Sequence, residues 1–264
     1  MDRDPSFYTE RTIASWDEAA PIHRQINSDL VAKVASPAFN ALEPDFDTLV
    51  SEFDLQGKSV VQVCCNNGKD LLSIGKKGAG RCLGIDGSRL FIEQARELAS
   101  AAGHPQMEFA CCDIYQLPER YRGSFDFAVI TVGVLNWMPD LCRFIQICAS
   151  LLKPGGRLLM EEIHPVLNMY EEGEPSHIAQ SYFDRRPYRD DGGLDYFTGR
   201  KYQARENYYF QHTLSDILTA AISTDLALCS FRELGKNVGN YCADLERTEC
   251  VPPMAFVASW QKSS

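Results

Sequence analysis

The sequence predicts an α/β protein built around a mostly parallel sheet. Three observations lead there. Residues 59–63 form a short apolar run with Val60, Val61 and Val63, as expected of a strand buried on both faces. A small-residue turn, Asn66-Asn67-Gly68, follows at once, and Leu71, Leu72 and Ile74 then resume at helical spacing. The same alternation of strand-like and helix-like segments continues to about residue 165, which favours parallel strands joined by helical crossovers.

Residues 1–50 precede the first strand. The run Ser15-Trp16-Asp17-Glu18-Ala19-Ala20-Pro21 reads as a helix start with Ser15 as N-cap, and Leu30, Val31 and Val34 extend an apolar face. After the first strand, turn and helix, residues 82–85 read as the second strand, with Asp86 at its tip. An acid there, about 20 residues past the loop, is placed to accept hydrogen bonds from ribose hydroxyls. Glycine and asparagine tolerate left-handed backbone, so the turn can approach a ligand closely. Together these features read as the first βαβ unit of a nucleotide-binding domain.

Residues 90–102 form the next helix, with Leu90, Ile92, Ala95 and Leu98 apolar and Gly103 as the stop signal. Residues 107–112 and 123–131 are the third and fourth strands. The loop 132–140 follows the fourth strand at the sheet edge where open α/β proteins place their chemistry. A helix over 141–152 and a fifth strand over 157–163 complete the core. Residues 166–211 break the rhythm. They carry Tyr170, Tyr182, Tyr188, Tyr196, Tyr202, Tyr208 and Tyr209, too aromatic for a disordered segment. They read as an inserted cap with short extended pieces such as 206–211. A helix from Thr213 to about Ile222 and strands over 226–234 and 254–260 finish the chain, with 235–253 as a long loop.

The chain has 264 residues and 45% hydrophobic content, enough for one large domain with a cap. A formal charge of −10 and the lack of a basic stripe argue against nucleic acid as a substrate. No apolar run is long enough to span a membrane, and residues 1–5 lack the pattern of a signal peptide, so a cytoplasmic protein is expected. The ten cysteines include no Cys-x-x-Cys pair. Cys64, Cys65, Cys82, Cys111 and Cys112 fall in or at the ends of strands, and Cys142 and Cys148 on an amphipathic helix. They read as reduced apolar fillers, not metal ligands.

The stretch 59–70 resembles motif I of the class I S-adenosylmethionine (SAM) dependent methyltransferases. That motif usually has an acid and three glycines. Here Gln62 stands in the acid's place, Cys64 and Asn66 replace the first two glycines, and Gly68 keeps the third. The Phe125-Asp126 start of the fourth strand and the run Leu151-Leu152-Lys153-Pro154-Gly155-Gly156 are further marks of this family. The resemblance is firm over about 55–163. It implies a Rossmann-like sheet, mostly parallel with an antiparallel last strand, in a single SAM-binding domain. Residues 1–50 would be a helical lid, 55–165 the core, 166–211 the cap and 212–264 the final helix and hairpin.

The resemblance also implies site residues. Cys65, Asn66, Asn67 and Gly68 would line the cofactor loop. Asp86, Gly87 and Ser88 would hold the sugar, Asp113 and Ile114 the adenine, and Thr131 and Val132 would lie beside them at the strand ends. Trp16, with Tyr8 and His23, would cover the methionine part from the lid. The cofactor's sulfonium suits aromatic faces, which attract it by about 0.5–2 kcal/mol each. Three positions emerge as catalytic candidates: Asn136 to bind an amine or orient an acceptor, His164 as a base near neutral pH, and Tyr182 from the cap. No metal is expected.

The leading expectation is methyl transfer to a small-molecule acceptor, of the kind met in secondary metabolism, releasing S-adenosylhomocysteine. The amino-group signature used on nucleic-acid bases is absent, because Trp137 and Met138 follow Asn136. A second expectation keeps fold and cofactor. The chain could resemble azetidine-2-carboxylate synthases, in which the cofactor's own α-amine attacks its γ-carbon and releases methylthioadenosine. A third is a SAM-binding protein without catalysis. Oligomeric state is not legible in the sequence.

Overall fold

Apolar strands alternate with amphipathic helices from residue 59 onward. In the computed structural model, which describes residues 3–173 and 175–264, they assemble one seven-stranded sheet. The strands are β1 (Ser59–Val63), β2 (Arg81–Asp86), β3 (Glu108–Cys111), β4 (Phe125–Ile130) and β5 (Leu152–Ile163). Four short cap strands follow: β6 (Tyr170–Glu171), β7 (His177–Ile178), β8 (Tyr188–Asp190) and β9 (Asn207–Tyr209). The chain ends with β10 (Leu226–Leu234) and β11 (Ala255–Lys262). The sheet order is β10-β11-β5-β4-β1-β2-β3. All pairings from β3 to β5 are parallel, and only β11 runs against its neighbours, β5 and β10. β1 is buried at every residue, as a strand flanked by β2 and β4 must be.

The helices are α1 (Pro5–Ile26), α2 (Leu30–Val34), α3 (Pro44–Ser51), α4 (Lys69–Lys76), α5 (Arg89–Ala101), α6 (Leu141–Leu151) and α7 (Leu214–Ile222). Strand alternation divides the core into two layers. Val61 and Val63 pack with Phe144 of α6 and Ile217 of α7. Val60, Val129 and Leu159 pack on the other face with Phe46 of α3 and with Leu71 and Leu72 of α4. At the base of the sheet, Asp126 accepts hydrogen bonds from Ser59 N–H (2.8 Å) and from Lys153 Nζ (2.9 Å). That contact gives the Lys-Pro-Gly-Gly turn a structural purpose. The turn residues belong to β5, which starts at Leu152 instead of Arg157, with a register shift opposite Phe125–Phe127.

One helix start differs from expectation. α1 begins at Pro5, with the Asp4 side chain accepting from Ser6 N–H. Asp followed by Pro outranks Ser15, because Pro at the first position has no N–H to satisfy and is preset for the helix. Ser15 is instead buried in mid-helix, where its Oγ accepts from Asn207 Nδ2 at 3.3 Å. The other boundaries agree within a few residues. Thr213 caps α7 through a capping box with Asp216. All ten cysteines are free. Cys65, Cys82, Cys148 and Cys242 are buried fillers, but Cys111, Cys142, Cys229 and Cys250 are exposed, so the filler role covers only part of the set.

The loop after β4 is pinned from below. Glu162 of β5 accepts hydrogen bonds from Gly133 N–H (2.9 Å), Val134 N–H (2.5 Å) and Leu135 N–H (2.7 Å). Three backbone donors, two of them buried, therefore depend on one carboxylate. Glu162→Ala should lower the unfolding free energy by about 3 kcal/mol or more, read as the shift of the urea midpoint. A shift below about 1 kcal/mol would show that the loop is held by other means.

Candidate active site

The β1–α4 loop is wound tightly enough to demand unusual backbone. Cys64, Asn66 and Gly68 have φ of 52°, 50° and 72°. These are the three positions that glycine occupies in the motif the loop resembles. Gly68 has a second reason to be glycine: a Cβ there would lie 2.9 Å from the Phe109 ring. Asn66 is an ordinary left-handed residue, whereas Cys64 holds this conformation at a cost of order 1 kcal/mol. Strain of that kind gathers at ligand clamps.

Asp86 organises the loop's other side. Its Oδ2 accepts from Asn66 N–H at 2.7 Å and its Oδ1 from Ser88 N–H at 2.8 Å. Each oxygen keeps further acceptor capacity. Burial pushes its pKa up to about 6, against the pull of the Ser88 and Asn66 backbone donors, so it is ionised at neutral pH. Gly87 lets α1 approach, since a Cβ there would lie 2.5 Å from Ile13. Ser88 caps α5 through Phe91 N–H and donates to Asp17 of α1 at 2.6 Å. Within the loop itself, Asn67 N–H donates to Asn66 Oδ1 at 2.8 Å, and Cys65 is buried beneath.

α1 lies along the C-terminal edge of the sheet. Thr9 donates to Asp113 Oδ2 at 2.5 Å, and Gln94 of α5 donates to the Ala20 carbonyl at 2.9 Å. Asp113 Oδ1 also takes Tyr115 N–H, with Ile114 buried beside it. Trp16 sits among Trp137 (5.5 Å between ring centres), His23 (5.9 Å), Phe91 (6.0 Å) and Tyr196 of the cap (6.3 Å). Trp16 and His23 thus meet in one aromatic group. Tyr8 belongs to another, with Tyr208 and Phe210. From above, the cap holds α1 through Arg11–Glu206 (2.9 Å) and through Arg205 N–H donating to Glu18 (2.8 Å).

The three catalytic candidates are not brought together. Asn136 donates to Asn168 Oδ1 at 3.0 Å, and its carbonyl accepts from Phe210 N–H at 2.7 Å, which ties the β4 loop to the cap. Gln211 joins the same carboxamide group by donating to the Asn168 carbonyl at 2.9 Å. Tyr182 instead takes Leu214 N–H on its hydroxyl (2.8 Å), at the start of α7. His164 takes Val166 N–H on Nδ1, and its Nε2 stands 3.1 Å from Glu233 of β10. Burial lowers its pKa, opposed by Glu233. His164 and Tyr182 each hold one backbone N–H, of Val166 and of Leu214.

Two carboxylates escaped the sequence reading. Asp70 lies in the first turn of α4, and burial raises its pKa, opposed by Lys69, Thr131 and Gln62. Gln62 Nε2 donates to Thr131 Oγ1 at 2.9 Å. Glu161 is only 2% exposed, and its Oε1 receives no hydrogen bond among the described residues. Burial, reinforced by Glu43, Asp70 and Glu162, pushes its pKa up to about 8. The available signal was the pair Glu161-Glu162 inside the apolar run Leu158-Leu159-Met160, since charged residues are seldom buried without a task. Val132 lies above this region, against Gly239 of the loop leading to β11.

Comparison with known proteins agrees with this geometry. Residues 60–156 match the family described as Methyltransferase domain. The chain is 30% identical over 118 residues to the ubiquinone biosynthesis O-methyltransferase of Neisseria meningitidis, an overlap of 45% of this chain and 49% of that protein. It is 26% identical over 168 residues to the demethylmenaquinone methyltransferase of Lactococcus lactis, covering 56% of this chain and 64% of the relative. In both cases it spans less than two thirds of the relative's length. Among solved structures, an S-adenosylmethionine dependent methyltransferase from Mesorhizobium loti superposes with a TM-score of 0.63 at 19% identity, over 83% of this chain and 96% of that one. The fold is that of the class I SAM-dependent methyltransferases. Among the described residues, no cluster of His, Cys, Asp or Glu is arranged to hold a metal, and no helix is long and apolar enough to cross a membrane.

The buried acids set a pH dependence. Glu161, Glu162 and Asp86 have folded pKa values of about 8, 7 and 6, all above the ordinary carboxylate range. Between those ordinary values and the folded ones, the folded state binds more protons than the unfolded state. Buried His23, His164 and His212, with lowered pKa values, pull the other way below about 6.5. Unfolding free energy should therefore fall as pH rises from about 6.5 to 8, by roughly 1.4 kcal/mol for each pH unit a carboxyl spends protonated only in the folded state. Urea titrations of the ligand-free protein across this range check the slope, and Glu161→Gln should flatten its upper part. Stability rising through the window would contradict the burial of these groups.

Proposed function

We propose that the protein is a SAM-dependent methyltransferase acting on a small-molecule acceptor. The observation that carries this reading is the left-handed β1–α4 loop joined to Asp86 at the tip of β2. A nucleoside fits the residues present. Asp86 has acceptor capacity left for ribose hydroxyls, and the Cys65–Gly68 loop, Gly87 and Ser88 border the sugar and the amino-acid arm. Asp113 and Ile114 would take the adenine, and Thr131 and Val132 the far side of the cleft. Trp16 offers a π face to a sulfonium.

When bound, the sulfonium supplies an activated methyl group. The chain's own part is positioning and exclusion of water. α1 and the aromatic cap close over the strand ends, and Asn136, held by Asn168, would orient the acceptor. A small acceptor suits the acidic charge of −10 and the closed cap, and the named relatives act in ubiquinone biosynthesis or on demethylmenaquinone. The cyclising alternative draws no support from these relatives. Ten free cysteines suit a reducing compartment, so we assign the protein to the cytoplasm.

Incubation with SAM and a panel of hydroxylated aromatic acceptors, followed by mass spectrometry, tests the reading. S-adenosylhomocysteine and a methylated acceptor are expected. Methylthioadenosine formed without any acceptor would establish cyclisation instead. Asp86→Ala should weaken S-adenosylhomocysteine binding by about tenfold or more in calorimetry, because it removes a charged hydrogen-bond acceptor. Unchanged affinity would remove Asp86 from the site.

A further inference from the structure

The chain between β9 and α7 clasps the loop after β4. Phe210 N–H donates to the Asn136 carbonyl at 2.7 Å, and His212 Nε2 donates to the Met138 carbonyl at 2.9 Å. Between these two clasps lies Gln211, only 5% exposed. Its Nε2 donates to the Asn168 carbonyl (2.9 Å) and to Gln180 Oε1 (3.1 Å), with the Tyr188 hydroxyl 3.4 Å away. Its Oε1 is buried and has no hydrogen-bond partner among the described residues.

Exchanging the amide oxygen and nitrogen of Gln211 gives no relief. The Asn168 carbonyl can only accept, so the nitrogen must face it. Asn207, also buried, is a different case. Its partner is the Ser15 hydroxyl, which can donate or accept, so either of its amide atoms can be the one left over. A buried oxygen without a donor is costly and rare in a native protein. Asn136 supplies the complementary group. It pairs with the Asn168 side chain at 3.0 Å, and in either orientation of that pair one of its N–H groups is unused among the described residues. Asn136 and Gln211 thus offer a spare donor and a spare oxygen beside Asn168, at the sheet edge where open α/β proteins bind ligands.

We propose that Gln211 is a specificity-determining residue, whose Oε1 reads a hydroxyl group on the methyl acceptor. A hydroxyl both donates and accepts, so it can give its proton to Gln211 Oε1 and take the unused N–H of Asn136. A primary ammonium has no lone pair for Asn136, and no carboxylate is bonded to either carboxamide to balance its charge. A carboxylate or a carbonyl brings no donor for Oε1. A carboxamide is too weak a base to remove a proton, so the hydroxyl that Gln211 holds is a handle and not the methylated atom. The methyl acceptor therefore carries at least two polar groups, one to be methylated and one to be read. This inference rests on the functional reading above and narrows its substrate class.

The test compares dihydroxybenzenes and dihydroxybenzoates with the same molecules lacking one hydroxyl, after calorimetry has established S-adenosylhomocysteine binding. The wild type should favour a dihydroxylated compound over its monohydroxylated counterpart by roughly a hundredfold in kcat/KM, because the counterpart leaves Oε1 unpaired. Gln211→Met, apolar and of similar length, should bring that ratio down to within about fivefold of one and leave S-adenosylhomocysteine affinity within about twofold of the wild type. Gln211→Asn, which stays polar and draws the oxygen back by one methylene, takes its place if circular dichroism shows Gln211→Met to be misfolded. Equal rates with and without the second hydroxyl in the wild type overturn the proposal, as they would if Oε1 met only a trapped water. A preference that survives in the folded variant overturns it too, as does S-adenosylhomocysteine binding without turnover of any dihydroxylated compound. Absence of S-adenosylhomocysteine binding overturns the functional reading, and the role of Gln211 with it.

Discussion

The carboxylate of Asp86 joins two turns that would otherwise be independent. One oxygen fixes the loop leaving β1 through Asn66 N–H, and the other fixes the turn leaving β2 through Ser88 N–H. Both turns feed helices, α4 and α5, so their entry points are set by one side chain. Removal of this group would release the left-handed loop at the same time as it removed a ligand contact. Local strain at Cys64 is tolerable because the surroundings hold the loop from both sides. Scaffold and candidate site therefore share a single anchor.

The neighbouring acids of β5 show how one strand can serve two ends. Glu162 points to the α6–α7 layer and meets three backbone N–H groups, so its burial is satisfied. Glu161 points to the α3–α4 layer and meets other acids. The two side chains are chemically identical and adjacent, yet burial raises both, to about 7 and about 8, with different compensation. The satisfied one builds the β4 loop. The unsatisfied one is met by protonation, since its burial among other acids favours the neutral carboxyl.

Much of the core was legible because its signals are local. Val60, Val61 and Val63, the turn ending at Gly68, and the Thr213-to-Asp216 capping box each report their own structure. The acid at the tip of β2 was readable for the same reason. Errors arose where a local signal had a stronger rival or a distant partner. Ser15 resembled a cap until Asp4 and Pro5 were weighed against it. The neighbours of His164 and Tyr182, Glu233 and Leu214, were not legible because they lie far along the chain. Asp70 and Glu161 are 91 positions apart, and Asp70 acts on the Glu161 pKa only because β1 sits beside β4 and β4 beside β5.

Helix α1 occupies an unusual position, with its polar groups divided between the sheet edge and the cap. Thr9 holds Asp113 and Asp17 holds Ser88, the same groups assigned to a nucleoside. On the proposed function, helix and ligand would compete for one set of acceptors and donors. Measured affinity would be lower than intrinsic affinity by the fraction of time the helix stands aside. Arrival of the ligand would be timed by that opening, not by the frequency of molecular collision.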